Sequence, residues 1–185
     1  MRSPARQNMR TVQIVLLVGV LLSAQCKKEH LSGDFFGSAQ AMVNGSTTNF
    51  NKTRGKVYNN RTDSVNLIFD RWDGVYPRES FNFSPTVILL NQPQRIRKAP
   101  GNGNILTSLY VTLSDDGDVI CDLYYIYEPD SLQNYITITA FNSQTKEIDG
   151  TFQATYLIDP SRVKCKPSAP DTIRIRNGVF HTKIL

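Results

Sequence analysis

The sequence predicts an all-β protein, an antiparallel β-sandwich or partly closed barrel of eight or more short strands. Three observations carry that expectation. Runs rich in β-branched and aromatic residues recur with apolar side chains two apart. Turn chemistry separates them roughly every 8–12 residues, the rhythm of sandwiches and barrels. From Phe35 onward no run has the 3.6-residue period of an amphipathic helix.

The elements follow in order. Residues 38–43 form a first strand leading into Asn44-Gly45, a pair that tolerates positive φ and so closes a two-residue hairpin. Residues 52–62 read as a loop. Residues 64–72 alternate Val65, Leu67 and Phe69. Residues 79–90 set Phe81 and Phe83 two apart, and Pro85, which has no N–H to donate, implies an edge or a bend. Residues 91–104, with Pro93, Pro100, Gly101 and Gly103, read as a second loop. Residues 105–113 place Leu109, Val111 and Leu113 on one face. The turn Asp115-Asp116-Gly117-Asp118 returns the chain through residues 119–127 as a hairpin. Residues 135–141 turn Ile136 and Ile138 one way and Thr137 and Thr139 the other. After a polar turn at 142–146, residues 148–158 align Phe152, Ala154 and Tyr156. Residues 160–170 are irregular. Residues 172–176 alternate Ile173 and Ile175 with Arg174 and Arg176. Asn177-Gly178 is expected to close another tight hairpin into residues 179–185, which align Phe180, Thr182 and Ile184. Such alternation favours an antiparallel sheet with one wet face, and its apolar faces must cover each other.

The 185-residue length suits one folded domain, but the N-terminus is set apart. Arg2, Arg6 and Arg10 precede an uncharged stretch from Thr11 to Cys26, and Lys27 and Lys28 follow it. A basic start, a short apolar stretch and small residues at its end describe a secretory signal peptide; the apolar part falls short of the roughly 20 residues of a span. Leu21-Leu22-Ser23-Ala24-Gln25-Cys26 resembles a bacterial lipobox, in which the cysteine is acylated and becomes the mature N-terminus. Ser23 and Gln25 depart from the usual pattern, so ordinary signal-peptidase cleavage near Ala24 stays open. Residues 1–25 are therefore expected to be a signal peptide of the lipoprotein type, residues 26–37 a tether and residues 38–185 a single all-β domain. The expected location is the cell envelope, at the outer membrane, on its periplasmic face or at the cell surface.

Three cysteines is an odd number for an exported chain. Acylation of Cys26 would leave Cys121 and Cys165, which an oxidising compartment allows to pair. The formal charge of +5 has a related explanation. Loss of Arg2, Arg6 and Arg10 leaves 21 − 3 = 18 basic residues against 16 acidic ones; from Glu29 onward the count is 16 against 16. The basic balance belongs to the signal and tether and gives no support to nucleic-acid binding.

These pieces form a pattern. The export signal ends in Cys26-Lys27-Lys28, and an early strand ends in Met42-Val43-Asn44-Gly45. Later blocks read Ile136-Thr137-Ile138-Thr139, Ile148-Asp149-Gly150-Thr151-Phe152 and Asn177-Gly178-Val179-Phe180. The chain resembles a family of small uncharacterised all-β lipoproteins of the Bacteroidota. The resemblance implies a β domain held on the envelope by an N-terminal lipid, and it brings no catalytic residue with it.

Nothing in the chain composes a recognisable catalytic centre, and no enzyme is expected. His30 lies in the tether, and His181 is out of phase with Phe180 and Ile184, so it faces solvent. There is no Gly-x-Ser-x-Gly elbow, phosphate loop or dinucleotide fingerprint. Asp115, Asp116 and Asp118 read as a turn rather than a calcium loop, because the remaining spaced ligands are missing; no metal and no cofactor is expected. Aromatics are the better lead. Trp72, Tyr76, Tyr124 and Tyr125 are the candidate ligand-binding residues, with Tyr110, Tyr127 and Tyr135 as further members of a stacking surface. The expected partners are the membrane, through the lipid, and a glycan or envelope protein. Two rivals stand beside this binding or structural module: a lipocalin-like carrier with an apolar cavity, and an envelope hydrolase built on a carboxylate pair.

Overall fold

A computed structural model describes residues 37–98 and 105–185. Cys26, His30 and nearly all of the expected tether lie outside the described residues. Eleven strands run in sequence: β1 (Gly37–Val43), β2 (Ser46–Phe50), β3 (Lys52–Tyr58), β4 (Arg61–Asp73), β5 (Tyr76–Val87), β6 (Gln94–Arg95), β7 (Leu109–Leu113), β8 (Ile120–Ile126), β9 (Tyr135–Phe141), β10 (Glu147–Ile158) and β11 (Thr172–Lys183). A 3-10 helix at Glu128–Gln133 joins β8 to β9.

The strands pair antiparallel in the order β2-β1-β11-β10-β8-β7-β5-β4-β3. One edge of β10 serves two partners: β9 along Ile148 to Gln153, and β8 along Tyr156 to Ile158. This fork lets the sheet fold over itself into two layers. It does not close into a barrel. The path ends at β2 and β3, and β3 meets the chain terminus at a single parallel bridge, Gly55–Ile184. The all-β sandwich-like fold read from the sequence is the fold observed.

Three local expectations are corrected. Residues 52–62 are not a loop. Asn59 and Asn60 both take positive φ, 46° and 60°, and turn β3 directly into β4, with Tyr58 paired to Arg61. Lys and Gly are depleted in strands, so composition hid an edge strand whose buried residues are only Thr53 and Gly55. Asn177-Gly178 does not turn the chain; β11 runs straight through it. The register shifts by one residue against both β1, between Gln40 and Met42, and β10, between Phe152 and Ala154. Asn177, at φ 53°, therefore sits in a β-bulge. Leu109 and Val111 do not face the core. Tyr110 and Ser108 point inward instead, and Leu109 is 37% exposed.

Between the layers lies a cluster of rings. Phe69 of β4 stacks on Phe81 of β5 with centroids 4.8 Å apart, and Phe50 of β2 meets Phe81 edge-on at 4.8 Å. Phe69 also reaches Phe152 of β10 at 5.2 Å and Phe180 of β11 at 5.4 Å, so one side chain ties both layers together. Two glycines make room. Gly150 pairs with Phe180 and Gly178 with Phe152. A Cβ on Gly150 would come within 2.5 Å of the Phe180 ring, and one on Gly178 within 2.6 Å of the Phe152 ring. Each ring lies over the glycine of the neighbouring strand, an arrangement that supplies the glycine with packing it lacks.

A polar network holds the 3-10 helix against β10 and β11. Arg176 bonds Asp130 and the Thr155 hydroxyl, each at 2.9 Å, and Thr155 also bonds Asp130. Fully buried Asn134 donates to the Tyr127 carbonyl at 2.9 Å and accepts from the Thr155 N–H at 2.7 Å. These bonds satisfy backbone groups where β10 passes from β9 to β8.

Candidate functional site

The four candidate aromatics do not form one surface. Trp72 and Tyr125 lie on the outer face of one layer, Tyr124 is buried at the wall of a cleft at the end of the sandwich, and Tyr76 is exposed at the start of β5.

Trp72 and Tyr125 belong to the outer face made by β3, β4, β5, β7 and β8. In β4, Val65, Leu67 and Phe69 point inward, so Asn66, Ile68, Asp70 and Trp72 point outward. Asn51 bonds the Trp72 backbone twice, at 2.8 and 3.0 Å, standing in for a neighbouring strand beyond the start of β3. Lys52 places its ammonium 3.6 Å from the centre of the indole ring, a cation–π contact that covers one ring face. Asp70 is buried beside Trp72. Burial raises its carboxyl above the usual range, and hydrogen bonds from Ser80 and Trp72 with the nearby charges of Arg54 and Lys52 offset part of that shift. Tyr125 lies farther along this face, paired with Leu109 and Leu157, with Lys98 above its ring at 5.7 Å.

Tyr124 is the neighbour of Tyr125 and points the opposite way. It is fully buried, 5.8 Å from the Tyr110 ring, and donates to the Pro170 carbonyl at 3.1 Å. Burial pushes its hydroxyl up to about 12. Tyr110 and Tyr156 are also core rings, 5.6 Å apart, and burial raises both hydroxyls well above the ordinary value. The expected stacking surface thus loses Tyr110 and Tyr124 to the interior. Tyr76 is exposed at the start of β5, beneath the Arg78 guanidinium at 5.9 Å.

Tyr110 and Tyr124 line the cleft, a hollow of about 370 Å³ where the two layers part. At its base Arg71 of β4 and Glu79 of β5, paired across the hairpin, form an ion pair at 2.6 Å. The hydrogen bond that Arg71 donates to the Glu79 carboxylate raises the Arg71 pKa above its ordinary value. Tyr110 donates to the other Glu79 oxygen at 2.5 Å. Asp122 accepts from Thr112 at 3.1 Å and from the Cys165 N–H at 3.0 Å. Arg78 and Lys166 face Asp115 at the mouth, at 3.6 and 3.9 Å.

The irregular stretch 160–170 forms one wall. Cys121 and Cys165 are disulfide-bonded with Cα atoms 5.3 Å apart, as the cysteine count suggested. Lys164 holds the far end of the stretch through the Ala169 carbonyl at 2.8 Å and Asp171 at 2.7 Å. The sequence reading missed Arg71 and Glu79. A two-residue turn at Gly74-Val75 alone would set Arg71 opposite Arg78; a register shift between Arg71 and Trp72 brings Glu79 there instead, and periodicity does not signal it.

His181 is half exposed, as expected from its phase, and pairs with Asp149 at 2.8 Å on the other layer. Asp115, Asp116 and Asp118 form the turn of the β7–β8 hairpin, where Ser114 bonds Asp116. Among the described residues no group of three or more metal-ligating side chains comes together, and no helix is long and apolar enough to cross a membrane. Comparison with family models, with curated proteins and with solved structures found no match to this chain.

Proposed function

We propose that this protein is a lipid-anchored binding module of a bacterial cell envelope, and that its end cleft takes a neutral, hydroxyl-rich ligand, a short stretch of glycan. The observation that carries the reading is the charge balance of the cleft. Arg71, Arg78 and Lys166 stand against Glu79, Asp115 and Asp122, three cations against three carboxylates. Each pairs or hydrogen-bonds within the wall, so a ligand meets oriented donors and acceptors and no net field. Thr48, Thr112 and Ser168 add hydroxyls, and the partly exposed Val43 and Leu113 add apolar area. A few placed polar groups beside apolar surface in a concave site is the usual composition of a small-ligand pocket.

The anchor is inferred from residues 1–28, and the disulfide is in keeping with an oxidising compartment. The carrier reading has less support, because Phe50, Phe69, Phe81, Phe152 and Phe180 fill the space between the layers where an apolar ligand would sit. The hydrolase reading has less support as well. Glu79 and Asp122 are each engaged by fixed donors, which favours a positioning role over proton transfer.

Glycan-array profiling followed by calorimetry tests the reading. Glu79→Gln and Thr112→Val should each weaken glycan binding by about 10-fold or more, while Trp72→Ala, outside the cleft, should leave it unchanged. Indistinguishable profiles for wild type and both cleft variants would remove the cleft as the site. Mass spectrometry of the mature protein tests the anchor, with an acylated Cys26 expected and an unmodified N-terminus ahead of it counting against lipidation.

A further inference from the structure

We propose that the outer face of the β3-β4-β5-β7-β8 layer docks flat on the surface of an anionic lipid bilayer. This face is separate from the cleft, and the proposal does not depend on what the cleft binds.

Three features of the face argue for it. First, alternation along the edge strand β3 turns Lys52, Arg54 and Lys56 to the outside, each opposite an outward residue of β4: Asp70, Ile68 and Asn66. Second, the middle of the layer breaks the usual rule for a wet face. Leu109 of β7 pairs with Tyr125 of β8, which pairs with Leu157 of β10, and the next row pairs Val111 with Leu123. Leu109 and Leu157 are 37% and 41% exposed although the same strands already bury Tyr110, Tyr124 and Tyr156 on the inside. Third, the carboxylate of Asp70, the acid set among these outward residues, is buried and hydrogen-bonded rather than presented to solvent. The face therefore presents a row of cations beside an aliphatic and aromatic strip, across six strands with the end of β10 and about 24 Å.

That combination selects among anionic partners. A nucleic acid or an acidic polysaccharide could meet Lys52, Arg54 and Lys56, but offers no apolar phase for Leu109 and Leu157. A bilayer surface offers both: anionic headgroups for the cations, and the headgroup–acyl boundary for the leucines and for Tyr125, whose ring and hydroxyl suit that boundary.

Trp72 makes the proposal directly measurable. It is the only tryptophan of the chain, and it lies on this face under Lys52. The full chain is mixed with vesicles of phosphatidylcholine alone or with about a third phosphatidylglycerol, in each case with brominated acyl chains as a quencher. Lys27 and Lys28 of the tether favour the anionic vesicles by themselves, so the comparison of wild type with variants of the face, all carrying the same tether, isolates the face. Quenching of Trp72 should appear with the anionic vesicles and be reversed by about 0.5 M NaCl, where screening is nearly complete beyond a few ångströms. Each cation near such a surface contributes roughly 5-fold in partition, so Lys52→Glu with Lys56→Glu should weaken docking at least about 30-fold. The baseline emission of each variant is recorded without vesicles, because Lys52 touches the indole. His181→Glu with Lys183→Glu on the opposite layer should leave docking unchanged, and thermal unfolding of each variant separates lost docking from lost fold. Equal quenching on both vesicle types, or no loss in the Lys52/Lys56 variant when it is folded, would overturn the proposal. So would a Trp72 response to heparin without one to anionic vesicles, or a response that depends on protein concentration in the absence of vesicles, which would assign the face to a polyanion or to a second copy of the chain.

Discussion

The two outer faces of this sandwich are built from the same kind of strand and could hardly differ more in chemistry. Across β2-β1-β11-β10-β9, one continuous row reads Asn49, Gln40, Val179, Thr151, Thr137. Across β10-β8-β7 and β5-β4-β3, the corresponding row reads Leu157, Tyr125, Leu109, then Asn82, Ile68 and Arg54. The first row holds hydroxyls and amides with one aliphatic residue, and the next row of that face pairs His181 with Asp149. The second is apolar at one side and basic at the other. Water satisfies the first face at no cost. On the second, exposed leucines beside inward-facing tyrosines give the layer apolar side chains on both surfaces, which a fold needs on only one. Rules of local consistency fail most often at functional sites, and β7 is where they fail here.

The comparison can be broken first at the core the two layers share. Phe69→Ala should cost about 3–5 kcal/mol, because the ring touches aromatics of both layers and its loss leaves a cavity. Urea unfolding should show one cooperative transition displaced as a whole; a cost below about 1 kcal/mol would mean that the layers do not depend on a common core. Removing the disulfide with Cys121→Ser and Cys165→Ser comes next. The loop-entropy picture gives about 4 kcal/mol for a closure of this length. The loss should also loosen the 160–170 wall and weaken ligand binding in the cleft, while Trp72 docking on the outer face persists. Asn134→Ala should cost about 1–3 kcal/mol by leaving the Thr155 N–H and the Tyr127 carbonyl without their buried partner. A midpoint unchanged in urea would mean that water replaces the amide.

Smaller effects sharpen the contrast between the faces. Asp70 has a raised pKa in the folded protein. The folded state therefore holds its proton more tightly than the unfolded state does. Its contribution to stability is present below the ordinary aspartate pKa and is lost as pH rises through the raised value. Asp70→Asn should accordingly compare more favourably with wild type at pH 7 than at pH 3 in urea unfolding; the reverse order would contradict the burial assigned to this carboxyl. The smallest effects belong to the exposed rows. Leu109→Thr and Val179→Thr should each change stability by no more than about 0.5 kcal/mol, yet only Leu109→Thr should reduce Trp72 quenching on anionic vesicles.

One dipeptide type shows where sequence reading holds and where it stops. Asn44-Gly45 turns β1 into β2, as its chemistry suggests, with φ of 48° and 86°. Asn177-Gly178 has the same chemistry and makes a bulge. Positive φ permits either outcome. What decides is whether neighbours continue on both sides, and β11 has β1 on one edge and β10 on the other across the bulge. The candidate aromatics were legible as residue types, but their sorting was not. Tyr124 and Tyr125 are adjacent, each phase of β8 carries apolar side chains, and period two alone does not say which phase is inside.

The sequence by itself determined the all-β class, the inward rows of β4, β9 and β10 and the first hairpin, and it allowed the pairing of Cys121 with Cys165 that the 5.3 Å Cα separation decides. Each of these follows from local periodicity, turn chemistry or a count. Tertiary structure alone decided that β10 forks between β8 and β9, that Arg71, Glu79, Tyr110 and Asp122 converge on one cleft, and that Leu109 and Val111 face outward. Those outcomes depend on contacts between residues far apart in the chain, where the free energy of burying one row of side chains is set by what the other layer presents to it.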